Sequence, residues 1–111
     1  MDRNVLLAKA VLNTAEKFGL NSNQLARVLG VDYTTILQLK SLDPDSKQGE
    51  RALILIRIFR SLYELNGGDM SWMGRYMNSP NRLTGGIPFN QIQQEEGLIK
   101  VLESLERISP K

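Results

Sequence analysis

Enzyme chemistry needs groups that move a proton, attack a carbon or hold a metal, and this chain of 111 residues has neither cysteine nor histidine. Thiol nucleophiles, disulfide staples, imidazole bases and the usual zinc or transition-metal ligand sets are absent, and most enzyme mechanisms go with them. Glu95 and Glu96 are adjacent, so on a helix they diverge by about 100° and cannot flank one substrate as an acid–base pair. They read better as solvated acids or as charges at a helix N-terminus. Gly85-Gly86 lacks the GxxxxGK[ST] spacing of a phosphate-binding loop and no strand precedes it. No enzymatic activity and no cofactor are therefore expected. The polar side chains offer recognition instead. The Gln38 amide can read adenine, Tyr33 and Thr34 can meet base or phosphate, and Gln24, Arg27 and Lys40 can hold a nucleic-acid backbone.

Helices must position these groups. Val5, Ala8, Leu12, Ala15 and Phe18 step by three to four residues and predict a first helix over 4–18, stopped by Gly19. Asn21 or Ser22 can cap a second helix ending near Gly30, and Asp32 a third running to about Lys40. Within SNQLARVLGVDYTTILQLKS, Ala26 allows two helices to approach, Gly30 supplies the turn, and Leu25, Leu29, Val31, Ile36 and Leu39 share a core. This is a DNA-binding helix-turn-helix pattern, and it resembles the phage-repressor-like Xre type. The outer face of its recognition helix would carry Tyr33, Thr34, Leu37, Gln38 and Ser41.

The polar stretch Asp43 to Gly49, which contains Pro44, reads as a hinge. Beyond it, Glu50 to Leu65 is apolar on nearly every side, which predicts a central helix buried on more than one face. Asn66, Gly67 and Gly68 end that helix, and Asp69 or Ser71 starts another that carries Trp72, Tyr76 and Met77 toward the core. Two glycines and two prolines follow in SPNRLTGGIP: Gly85 and Gly86 can take positive φ, while Pro80 and Pro88 fix φ and push Ser79 and Ile87 to extended backbone. A short helix opens at Pro88. Leu98, Val101, Leu102, Leu105 and Ile108 make a last amphipathic helix. No strand alternation appears, so the expected fold is all-α.

The ordered set Asn81, Leu83, Gly86, Pro88, Glu96, Gly97, Leu98, Val101 and Leu102, downstream of RALILIRIFRSLYEL, resembles the C-terminal domain of Xre/MbcA/ParS-type antitoxins of bacterial toxin–antitoxin pairs. Tyr76 stands four residues before Pro80, where that family usually has tryptophan. The resemblance spans roughly Arg51 to Leu105. It implies a helix-turn-helix half (residues 1–43) packed on a toxin-binding half (residues 50–111), and a partner toxin of the RES class, whose ADP-ribosyltransferase-like fold consumes NAD or transfers from it. By the same resemblance the antitoxin occludes the toxin's NAD cleft and represses its own operon by binding operator DNA. Toxin contact then falls to Asn81, Arg82, Leu83, Gly85, Gly86 and Pro88 and to a tail with Leu105, Arg107, Ile108 and Lys111. The alternative is a stand-alone transcriptional regulator that kept the fold without a toxin.

Net charge is only +2, little for a DNA binder. Up to Leu42 cations outnumber acids, and after Thr84 the order reverses, so the two ends are expected to face different partners. So few cations on one helix-turn-helix favour a homodimer that adds two half-sites. With no signal-peptide pattern and no apolar run near the roughly 20 residues that span a bilayer, the expected location is the cytoplasm, away from membranes.

Overall fold

The computed structural model of the chain describes residues 2–108, and its first helix begins where the Asp2 carboxylate accepts the Asn4 N–H at 2.8 Å. That helix, α1 (Arg3–Phe18), ends at Gly19, whose φ of 78° places it in the left-handed region. Its buried stripe runs Leu7, Ala8, Val11, Thr14, Ala15 and Phe18. Val5 and Leu12, expected inside, lie at the edge of the stripe and are half-buried. Thr14 stays dry because its hydroxyl donates to the Ala10 carbonyl at 2.8 Å.

Helix α2 (Ser22–Leu29) opens with a capping box: Asn21 and Gln24 exchange side-chain to backbone bonds of 2.8 Å in each direction. Gly30, at φ 73°, turns the chain into α3 (Tyr33–Leu37). The third helix is shorter than the sequence predicts. It stops at Leu37 with Gln38 as its cap rather than running to Lys40, because the chain must fall back onto the core. Leu42 is buried and its N–H donates to the Asn4 carbonyl at 2.9 Å.

The expected hinge is a capped turn. The Asp43 side chain accepts the Asp45 N–H at 2.9 Å, its carbonyl accepts the Ser46 N–H at 3.0 Å, and Ser46 Oγ accepts the Gly49 N–H at 3.0 Å. Helix α4 (Lys47–Leu65) therefore starts three residues before the predicted Glu50. A Cβ on Gly49 would overlap the Asp43 carbonyl and come within 2.9 Å of Pro44 Cα, so glycine here lets the turn lie directly on the helix. Ala52, Leu55, Ile58 and Leu62 of α4 are buried, and the helix packs against α1 and α2 on one side and against later helices on the other.

Asp69 caps α5 (Met70–Met77), Pro88 begins α6 (Pro88–Gln91), and Glu95 and Glu96 sit in the first turn of α7 (Glu95–Ile108), where helix N-terminal charge favours acids. Trp72 and Tyr76 stack at 5.8 Å and border the core half-buried, with Met77 inside it; burial raises the Tyr76 hydroxyl pKa. Helix α7 lies along α4 and buries Leu98, Val101, Leu102 and Leu105, so one hydrophobic core joins the two halves. Among the described residues every element is a helix; strand geometry is limited to one isolated bridge, Asn81 to Gly86. None of these helices is long and apolar enough to cross a membrane.

Candidate functional site

Two surfaces collect the residues singled out by sequence. On the first, α2, the Gly30 turn and α3 form a helix-turn-helix whose inner residues Leu25, Ala26, Leu29 and Ile36 are buried. Tyr33, Thr34, Leu37, Gln38, Lys40 and Ser41 are exposed on its outer side. The early end of α3 thus offers Tyr33 and Thr34, whereas Gln38 and Lys40 lie at and beyond its C-cap rather than within a helix. Two of the expected backbone contacts are already engaged. Gln24 serves the capping box, and the exposed Arg27 donates through Nε to Gln93 Oε1 at 2.9 Å. The glycine turn is also occupied from below: a Cβ on Gly30 would overlap the Arg51 guanidinium, which pairs with Glu95 at 3.0 Å.

The second surface is the segment between α5 and α6. Asn81 closes it into a ring, its N–H donating to the Gly86 carbonyl and its own carbonyl accepting the Gly85 N–H, both at 2.9 Å. The Asn81 side chain accepts the N–H groups of Leu83 at 2.8 Å and Thr84 at 3.2 Å, which curls residues 81–84 into a turn. Thr84 points inward, fully buried, and its hydroxyl donates to the Gly86 carbonyl at 3.2 Å. Two neighbours clamp the ring. Gln91 Nε2 of α6 donates to the Thr84 carbonyl at 2.5 Å, and Ser104 Oγ of α7, whose single proton serves the Lys100 carbonyl at 2.9 Å, lies against the Leu83 carbonyl at 3.2 Å. Leu83 is left at the tip, 63% exposed.

Beside it, Leu83, Glu96, Ile99, Lys100, Glu103, Ser104 and Arg107 line a groove of about 290 Å³. Ile99 and Ile108 of α7 are exposed apolar residues at 41% and 50%. A tip leucine and an apolar helix face bordered by both signs of charge have the composition of protein-contact surfaces rather than of an enclosed small-molecule site.

Residues 1–57 match the family model for the antitoxin Xre-like helix-turn-helix domain, and residues 61–109 match that for the antitoxin Xre/MbcA/ParS C-terminal toxin-binding domain. The chain belongs to the Xre/MbcA/ParS antitoxins. The two matches meet inside α4, the helix both halves share. No curated protein matches the sequence. As an antitoxin of a toxin–antitoxin pair, it has a protein toxin as the partner of its C-terminal domain, and DNA as the partner its helix-turn-helix implies.

On the antitoxin, not every residue expected at the toxin surface faces outward. Leu105 is completely buried and Pro88 is buried as the first residue of α6, so both support the surface from within. Only Gly85 of the glycine pair has positive φ, at 79°; Gly86 has ordinary backbone, and a Cβ there would come within 3.2 Å of the Gln91 side chain. Asn81 spends its side chain inside the ring. Arg82, Leu83, Arg107 and Ile108 are exposed, and Lys111 lies outside the described residues. Sequence reading missed Ile99, although its place one residue off the buried Leu98, Val101, Leu102 stripe marks it as outward, and it missed the clamps Thr84, Gln91 and Ser104, whose partners sequence spacing does not reveal.

Proposed function

We propose that this antitoxin silences a RES-class toxin by laying the 81–86 ring and the outer face of α7 across the toxin's NAD cleft. NAD is then the substrate of the toxin and not a ligand of the antitoxin. The supporting observation is the clamped ring with Leu83 at its tip beside Ile99, inside the segment that matches the toxin-binding model. Arg82, Leu83 and Gly85 supply the ring contacts, and Arg107 and Ile108 extend them along α7. Residues 50–111 act as the toxin-binding half and 1–43 as the DNA-binding half, working in the cytoplasm. Co-expression with a neighbouring RES-type reading frame tests this: the wild-type chain restores growth, and Leu83→Asp combined with Ile99→Asp, both at exposed positions, does not. Full rescue by that variant would overturn the assignment, and absence of any RES-type neighbour would favour a stand-alone regulator.

We also infer that the antitoxin represses its own operon as a homodimer. A five-residue α3 offers few contacts to one half-site, whereas two copies on a two-fold axis add theirs on a palindrome. Sedimentation at micromolar concentration reads the assembly; a strict monomer that holds a palindromic operator tightly would contradict the dimer.

A further inference from the structure

We propose that the α6–α7 corner of the toxin-binding half is a working part of the DNA surface: Gln93 positions the Arg27 guanidinium for a backbone phosphate, so the C-terminal half adds to DNA affinity without touching DNA. The inference rests on the DNA-binding reading of α2 and α3.

The geometry begins with the amide of Gln93. Its Nε2 donates to the Phe89 carbonyl at 3.0 Å, and its Oε1 accepts from Arg27 Nε at 2.9 Å across 66 residues of sequence. A backbone carbonyl only accepts and a guanidinium only donates, so the amide fits one way round and presents its oxygen to α2. The corner that carries it is fixed from several sides. Gln91 is bonded to Thr84, Glu95 pairs with Arg51 under the Gly30 turn, and Gly97 rests against the Gln91 backbone. Gln93 Oε1 is therefore a fixed point relative to the helix-turn-helix.

Arginine has five N–H donors, and the bond to Gln93 uses one. The exposed side chain keeps its charge and its Nη donors for a phosphate oxygen while losing part of the freedom that a long side chain must surrender on binding. Its place on α2 suits that role, since the first helix of a helix-turn-helix crosses the DNA backbone. A neutral amide suits it too. A carboxylate at 93 would cancel the charge that the phosphate needs, whereas an amide orients it at no electrostatic cost.

The test is a double-mutant cycle of the full chain on a random-sequence duplex at low salt, because phosphate contact needs no particular operator. Arg27→Ala is expected to weaken binding about tenfold, the size of one charge-assisted contact, and to make the salt dependence shallower by about one unit. Gln93→Ala is expected to weaken it about fivefold in the wild-type background and not at all when Arg27 is already alanine. Equal loss in both backgrounds would overturn the proposal and leave Gln93 a structural residue. Wild-type affinity in Gln93→Ala beside weakened Arg27→Ala would overturn it too, with the DNA-binding reading intact. Wild-type affinity in Arg27→Ala would remove the phosphate contact and the proposal with it, and failure of the unmodified chain to bind any duplex would defeat the DNA-binding reading itself.

Discussion

Gly97→Ala should destabilise the antitoxin although it places a better helix former in α7. Replacing glycine by alanine in a helix stabilises by about 1 kcal/mol in the absence of contacts. At Gly97 the added Cβ would overlap the Gln91 carbonyl oxygen and lie 2.8 Å from its carbonyl carbon and 3.0 Å from its Cα. Carbon atoms in ordinary contact stand about 3.5–4.0 Å apart, so the first turn of α7 must lift away from the corner it rests on. Backbone leaves no flexible end to swing aside, and such overpacking costs about 3 kcal/mol at the upper end of its usual range. The net loss is about 2 kcal/mol. Urea unfolding of a small protein has a slope of about 1–3 kcal/mol/M, so the midpoint should fall by about 0.7–2 M at unchanged slope. Gly74→Ala in α5 is the matched control. No atom outside its neighbours lies within 4 Å of its Cβ position, so this change should stabilise by about 0.5–1 kcal/mol. A Gly97→Ala protein at least as stable as wild type would refute the close docking of α7 on the corner that holds Gln91 and Gln93.

Gly85→Ala should cost about 1–2 kcal/mol of stability because φ is 79°, while Gly86→Ala should cost less because only the Gln91 side chain need move; chemical denaturation of the two reads the order. Leu83→Ala should leave stability within about 0.5 kcal/mol yet weaken the toxin complex by more than about 1 kcal/mol, measured by calorimetric titration. Gln38→Ala should lose about 1–3 kcal/mol on the operator and little on random DNA. Equal loss on both would remove its base-reading role. Lys40→Ala should weaken all duplexes alike and make the salt dependence shallower by about one unit.

Local chemistry made much of the fold legible. Gly19, a cap at Asn21 or Ser22, the Gly30 turn, a helix start at Asp69 or Ser71 and Pro88 at the head of α6 are all signals read within one turn of the chain, and the structure takes Asn21 and Asp69 as the caps. The failures lie where distant contacts decide. Nothing in Gln38-Leu39-Lys40 stops a helix; the pull of Leu42 onto α1 does. Lys47, Gln48 and Gly49 look like linker because glycine and polar residues suit a hinge, yet that glycine is small so that Asp43 and Pro44 can lie against the helix. Two adjacent glycines do not reveal which one carries the positive φ. Leu105 continues the buried Leu98, Val101, Leu102 stripe, and only the family resemblance points it outward. The bond between Arg27 and Gln93 has no local signal at all.

The central claim, that the 81–86 ring and α7 close the NAD cleft of a toxin, is tested most directly by NAD turnover of the purified neighbouring toxin titrated with the antitoxin. Wild-type chain should abolish turnover at a stoichiometric ratio, and Leu83→Asp with Ile99→Asp should leave it running at the same concentrations. Undiminished NAD consumption in a stable complex with the wild-type chain, or equal inhibition by that variant, would contradict the account.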